Sequence, residues 1–338
     1  IRQLQDMTGT DPLKIDLTDR KVLSIFNGIE ALDIKDPDYK FTHGSYAIPE
    51  FGTSFTRQML DDTKPDKFAD LVRISGFSHG TDVWLNNAQD YIRSGTATMR
   101  EVISTRDDIM NYLILKGVEN ETAFKIMEIV RKGKKDLDDE QVATMKEHNV
   151  PDWYIDSCNK IKYMFPRAHA VAYTMMSFRM AWYKVYYPQE FYATYFTTKV
   201  ANFDAETILK GKDAILAKME EIDAKGTNAT PKEKDDYTIY EVAYEMYARG
   251  YEFTPARLGK SLATKFSVDN GKVLLPFVAI EGVGENAAKA FQSEYEIKEF
   301  DTVEEAVKRA KLNRTAVEGL RNHGVFEGLA ETDQLSMF

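Results

Sequence analysis

The chain has 338 residues, 43% of them hydrophobic and 29% charged, enough to build two or more domains with their own cores. Its net charge of −10 excludes a uniformly basic nucleic-acid coat, so any phosphate contact has to be local. No apolar run suits a membrane span or a signal peptide, and a lone cysteine, Cys158, excludes an internal disulfide or a cysteine-built zinc site and fits a reducing cytoplasm.

The chain opens on Ile1 in mid-pattern, the expectation for a piece of something longer. Residues 1–45 read as short helices and loops, with Pro12 and the run Asp16–Lys21 marking a helix start. Pro49-Glu50-Phe51-Gly52 is a turn. A helix over 53–61 has Phe55, Met59 and Leu60 on its apolar side. Another over 67–74 points Phe68, Leu71 and Val72 inward and stops before the Gly- and Ser-rich run Ser75–Thr81. Helices follow at about 82–93, 99–102, 106–116, 120–132 and 138–147, with Gly95, Gly117 and Gly133 as stops. Asp107 and Asp108 are adjacent and point different ways on a helix, so they are assigned to capping and to pairing with Arg106 rather than to a two-metal site.

From Ser157 to Gln189 there is no Asp or Glu, while Lys160, Lys162, Arg167, Arg179 and Lys184 all fall there. The cluster Arg131-Lys132-Gly133-Lys134-Lys135 precedes them. A basic face on an acidic chain is the footprint of a phosphate site, the plain alternative being a solvated helix face. His79 and His169 sit in polar or basic settings without a carboxylate or cysteine at ligand spacing, which favours phosphate or backbone contact over metal, the plain alternative for each being a satisfied structural histidine. A long helix runs from Arg167 to Tyr186, opened by Pro166 and closed by Pro188. Its stripe Val171, Met175, Phe178, Trp182 and Val185 is expected to be buried, opposite His169, Tyr173, Met176, Met180 and Tyr183. Another helix holds 189–200.

After Asn202 the character changes to charged helices over 204–225 and 232–250, then β-prone pieces at 251–254, 264–268 and 272–275, the last two joined by Asp269-Asn270-Gly271. Within 276–293, Ile280-Glu281-Gly282-Val283-Gly284 followed by Glu285-Asn286-Ala287-Ala288 is a helix-hairpin-helix pattern. The glycines allow a tight hairpin, and the N–H groups that open the second helix can hold a phosphate. Residues 302–323 form a second hairpin with Lys311 and Arg314 at its loop; such a pair grips duplex backbone rather than reading bases. The polar-then-apolar end Gln334-Leu335-Ser336-Met337-Phe338 suits a peptide that orders in a partner's pocket.

Taken together, Ser75–Trp84, Arg106–Met110, Asp156–His169 and the terminal Gln-Leu-Ser-Met-Phe resemble one family along essentially the whole chain. It is the PolC-type DNA polymerase III alpha chain, the bacterial C-family replicase. The resemblance implies a mainly α fold: a helical fingers domain over 1–203, a small α+β duplex-binding region with tandem hairpins over 204–330, and a flexible clamp-binding tail over 331–338. It puts Ser78, His79, Gly80 and Thr81 in a loop near the templating base. Lys160, Lys162, Phe165, Arg167 and His169 lie along the incoming dNTP and nascent base pair. Gly282, Val283, Gly284, Lys311 and Arg314 fall on the primer-template duplex, and Gln334, Leu335, Met337 and Phe338 on the sliding clamp. Met337 stands where the family more often has Leu, with similar apolar volume. Two Mg2+ ions are expected on palm aspartates upstream of Ile1, so this stretch alone is expected to be inactive. Other replisome subunits are implied as partners, in the cytoplasm and without a membrane. A different class of reading is a non-catalytic, clamp-tethered DNA-binding adaptor.

Overall fold

The computed structural model describes residues 1–332, so the Gln334–Phe338 peptide lies outside the described residues. The fold is mainly α with one small three-stranded sheet, as expected. No helix among the described residues is long and apolar enough to cross a membrane. The chain groups into two compact units. The first comprises Lys14–Leu32 and Phe41–Trp182; the second comprises Ile1–Leu13, Asp33–Lys40 and the chain from Tyr183.

In the first unit, polar side chains fix the helix starts. Thr53 accepts from the Thr56 N–H at 3.2 Å ahead of Ser54–Thr63. Asp108 accepts from the Thr105 N–H at the start of Arg106–Leu115, and the reciprocal pair Asp138 and Gln141 opens Asp139–Glu147. Gly117 (φ 91°) and Gly133 (φ 54°) take the left-handed conformation at the ends of Arg106–Leu115 and Asn120–Lys132, where the sequence places stops. Aromatic pairs form the core: Phe26 with Phe51, Phe77 with Trp84, and Phe68 with Phe178 at ring distances of 5.2, 5.1 and 5.9 Å.

Several elements depart from the sequence reading. The helix expected to stop at 74 runs Phe68–His79, straight through Gly76. A Cβ there would lie 2.7 Å from the Ser104 carbonyl oxygen, so this glycine permits close packing instead of breaking the helix. The stretch 82–93 is not one helix, because Leu85, Asn86 and Asn87 leave helical geometry before Gln89–Arg93. The buried Asn87 amide explains the kink: it donates to Asp82 O at 2.8 Å and Ser157 O at 3.2 Å and accepts from Ser157 Oγ at 2.6 Å. Residues 99–102 form a turn, and a helix at Asp152–Lys160 was not anticipated.

The long helix has the expected bounds, Arg167–Tyr186, and of its expected stripe Phe178 and Val185 are buried. Its buried residues up to Trp182 are Ala170, Thr174, Ser177, Phe178 and Ala181, whereas Val171, Met175 and Trp182 stay half-buried. Tyr183, assigned to the polar face, is fully buried and shares a hydrogen bond with Thr10 Oγ1 at 2.7 Å in the second unit.

In the second unit, Gly211 (φ 96°) splits the expected 204–225 helix into Ala205–Leu209 and Lys212–Lys225. Thr230 and Glu233 cap the next helix, Pro231–Ala248. Lys272–Leu274 is the central strand, antiparallel to Ser267–Asp269 and parallel to Phe253–Thr254. Asn270 (φ 49°) and Gly271 (φ 74°) make the tight turn that an Asn-Gly pair signals.

Lys184 leaves the expected basic face altogether. Its ammonium is fully buried 2.7 Å from Glu245 Oε1, which also accepts from the Tyr192 hydroxyl at 2.7 Å. Arg249 donates to the Lys184 carbonyl at 3.0 Å and to the Tyr192 hydroxyl at 3.1 Å. Burial pushes the Lys184 ammonium down to about 8, against the pull of Glu245. Removing one member of such a pair strands the other charge, so Glu245→Ala is expected to cost about 3–5 kcal/mol in urea unfolding, with the double change Lys184→Met/Glu245→Leu recovering most of it. An unshifted urea midpoint for Glu245→Ala would contradict this role.

Candidate functional site

The first unit assembles a site from segments far apart in sequence. Ser78 and His79 form the last turn of Phe68–His79, Gly80 ends that helix, and Thr81 then pairs with an extended segment. The Thr81 N–H donates to Tyr163 O at 2.9 Å, and the Lys162 N–H donates to Thr81 O at 3.1 Å. The expected loop at Ser78–Thr81 is therefore half helix end and half bridge. Ser78 Oγ donates to its own helix, to Ser75 O at 3.0 Å.

Gly133 reaches the same segment from another direction. A Cβ on it would lie 2.2 Å from Lys162 O, so only glycine lets the Arg131–Lys135 corner meet Lys162. Lys134, Lys135 and Lys162 are exposed. Arg131 and Lys132 both reach Glu128, at 2.7 and 3.4 Å, and Arg131 first among them holds that carboxyl down at about 2. Lys160 is engaged as well: Asp156 lies 2.8 Å away, the Tyr91 hydroxyl 3.2 Å, and the Tyr91 ring 5.1 Å beneath the ammonium. The Asp156 contact raises its pKa, so it stays a cation.

Asp107 and Asp108 work on partners other than the expected Arg106. Asp107 Oδ2 accepts from the Arg167 N–H at 2.8 Å and so caps the long helix across a gap in sequence. Asp108 accepts from the Ser104 and Thr105 N–H groups, each at 3.0 Å, and from Arg73 at 3.2 Å. Arg167 has one guanidinium nitrogen 3.8 Å from Asp108 and is half exposed, so its position is biased but its charge remains accessible.

Several rings gather at the same segment. His79 lies 4.8 Å from Phe165 and 5.8 Å from Tyr173, and Phe165 lies 5.6 Å from His169. The structure thus brings His79, Thr81, Lys162, Phe165, Arg167 and His169 into one neighbourhood, with two additions that the sequence did not flag as site residues. Tyr173 is one turn along from His169. Glu50 lies in a distant turn, its Oε2 only 2.6 Å from His79 Nε2. No local pattern links Glu50 to His79, so only the tertiary structure could find it.

The second unit carries the hairpins. The first has only one 3-10 turn, Phe277–Ala279, where a helix was expected, followed by the helix Glu285–Ile297. The second runs Val303–Ala310 and Arg314–Asn322, with Lys311 (φ 52°) in the left-handed region and Asn313 capping the Ala316 N–H at 2.8 Å. Two glycines lock the hairpins together. A Cβ on Gly282 would lie 2.8 Å from Thr315 Cγ2, and one on Gly319 would lie 2.2 Å from Glu281 O. This sets Gly282 beside Thr315, next in sequence to the exposed Arg314. Val283 is buried as the anchor, whereas Gly284 is exposed with nothing within 4 Å of a Cβ position. Glu285, in the first turn after Gly284, opposes an anion there but is paired with Lys289 at 2.5 Å. Gly282–Gly284 and Gly319 also line a groove of about 1400 Å³ shared with Asp204, Glu206, Glu233 and Asp236. Lys218 and Lys232 line it too, but carboxylates outnumber them, which disfavours a phosphate chain inside the groove and favours the side bearing Lys311 and Arg314.

Comparison with known proteins bears on both units. Residues 1–150 match the family described as the bacterial DNA polymerase III alpha subunit finger domain, and 250–335 match the helix-hairpin-helix motif. All 338 residues align with the PolC-type DNA polymerase III of Clostridium perfringens at 53% identity, covering 23% of that protein. The Bacillus subtilis and Thermotoga maritima enzymes of the same name align over the whole chain at 50% and 46%, covering 24% and 25% of their lengths. The chain belongs to the PolC-type DNA polymerase III family. It spans about a quarter of the length of these PolC relatives. The finger match ends at residue 150, so the segment 160–169 rests on the full-length PolC similarity rather than on that domain.

The two hairpin glycines make opposite predictions for this PolC-type chain. Gly319→Ala is expected to destabilise by about 1–3 kcal/mol, because the methyl meets backbone that cannot step aside. Gly284→Ala is expected to cost no more than about 1 kcal/mol, the loss of a glycine cap in open space. Urea midpoints of the two variants check the order, and equal midpoints would contradict the packing described.

Proposed function

We propose that this chain supplies the nucleotide-closing and duplex-gripping parts of a replicative DNA polymerase. In this reading residues 1–203 act as fingers around the incoming dNTP and the nascent base pair. Residues 204–330 hold the product duplex, and the Gln334–Phe338 peptide tethers the enzyme to a sliding clamp. The observation that carries it is the bridge between Thr81 and Tyr163, which sets one motif beside cations and rings suited to a triphosphate and a base. Arg167 is the residue best suited to the phosphates. It is accessible, opens a long helix and has its backbone N–H capped by Asp107, leaving the guanidinium to the ligand.

Among the described residues no group of three or more His, Cys, Asp or Glu side chains could hold a metal ion. In this reading the two magnesium ions of nucleotidyl transfer belong to palm aspartates outside this stretch. This stretch by itself would bind DNA without extending it. The hairpins would contribute backbone contacts through the Gly282–Gly284 N–H groups, Lys311 and Arg314, with the salt dependence such contacts carry.

In the intact polymerase, Arg167→Ala is expected to lower kcat/KM for dNTP by about tenfold or more, the loss of one charge-assisted contact. The affinity for primed duplex should stay within about twofold. Steady-state kinetics beside a duplex titration at fixed salt separates the two, and unchanged KM and kcat would remove Arg167 from the nucleotide site.

A further inference from the structure

The turn carrying Glu50 is tightly built. Ile48 and Phe51 are buried on either side of it, at 2% and 0% exposure. The Ile48 N–H donates to Ser45 O at 3.0 Å, and the Phe51 N–H donates to Ile48 O at 3.2 Å. Gly52 leaves no slack, since a Cβ there would meet Ile48 O at 3.1 Å and Ser45 O at 3.2 Å. Glu50 itself has φ 68°, in the left-handed region that side chains other than glycine rarely adopt. Strain of this kind persists where the surroundings over-determine it, and it clusters at functional sites.

The turn aims the Glu50 carboxylate at one atom. Oε2 lies 2.6 Å from His79 Nε2, with the Glu50 and His79 side chains only 26% and 31% exposed. The pair lies outside hydrogen-bond geometry, so the close contact itself, rather than a directed hydrogen bond, limits where the ring can sit. Nε2 has no solvent contact, so whatever part of the imidazole remains open excludes that nitrogen. Phe165 and Tyr173 flank the same ring at 4.8 and 5.8 Å. An ordinary surface ion pair contributes little and needs no left-handed backbone to make it. Here a constrained turn, a partly buried carboxylate and two aromatic neighbours converge on a single side chain.

We propose that Glu50 is a positioning residue for the nucleotide site: its carboxylate pins the His79 ring through Nε2, so that His79 and Phe165 together present a fixed surface to the incoming nucleotide. The inference rests on the reading of Ser78–Thr81 and 160–169 as the nucleotide-binding region. Glu50 does not itself touch the nucleotide. Its effect on nucleotide use passes entirely through His79.

The test is a double-mutant cycle in the intact polymerase, with KM and kcat for dNTP measured beside primed-duplex affinity and thermal midpoint. Glu50→Gln keeps the shape and removes the charge. It is expected to raise the dNTP KM by about five- to tenfold, with a smaller change in kcat and duplex affinity unaltered. In a His79→Ala background the same change should have no further effect. Glu50→Gly removes the carboxylate but relaxes the left-handed backbone, so it should be at least as stable as the parent and still raise KM. Glu50→Asp, which retains the charge, should restore part of the loss. If His79→Ala raises KM and Glu50→Gln does not, the positioning role fails while the nucleotide site stands. If the Glu50→Gln effect persists undiminished in the His79→Ala background, Glu50 acts independently and the proposal is overturned. If neither change moves KM, the assignment of His79 to the nucleotide site fails, and the proposal fails with it.

Discussion

The extended segment 161–166 is the constraint on which the candidate nucleotide site depends. Ile161 and Met164 anchor it in the core of the first unit. Backbone groups around them then receive other parts of the chain: Thr81 pairs at Tyr163, Gly133 presses on Lys162, and the Arg106 N–H donates to Phe165 O at 3.3 Å. Asp107 completes the arrangement by capping Arg167 just beyond it. Because these are mostly backbone contacts, they set positions without using the side chains a ligand needs. Lys162 and His169 are exposed while their backbone neighbourhood is fixed from several sides.

Charge is distributed to match. An acidic chain can still attract phosphate where its cations gather and its carboxylates are already engaged. Near the basic segments three carboxylates are committed: Glu128 to Arg131, Asp156 to Lys160, and Asp108 to Arg73 and backbone N–H groups. In the second unit Lys184 and Glu245 neutralise one another inside the core, which takes one apparent surface cation out of consideration. The hairpins show the opposite balance, with a lysine and an arginine at one loop and carboxylates lining the adjoining groove.

Local signals were the legible part of the fold. The bounds of Arg167–Tyr186, the stops at Gly117 and Gly133 and the Asn270-Gly271 turn follow from short-range chemistry and appear where the sequence puts them. What escaped depends on close approach between distant segments. Gly76 reads as a breaker until Ser104 is beside it, and the small-residue face of the long helix reads as secondary to its larger side chains. The residues proposed for the nucleotide site were singled out as a group by motif resemblance, but Glu50, Tyr173 and the glycine contacts between hairpins had no sequence signal that singled them out. Gly319 sits mid-helix, where a glycine ordinarily weakens the structure, and only the Glu281 carbonyl against it explains its presence.

The central claim is that 78–81 and 160–173 converge on the incoming nucleotide. The most direct test is photocrosslinking of 8-azido-dATP to the intact polymerase on primed duplex, with the modified peptides mapped by mass spectrometry and competition by unlabelled dATP as the specificity control. The account predicts competable adducts within 78–81 or 160–173. Competable adducts confined to other parts of the polymerase would contradict it.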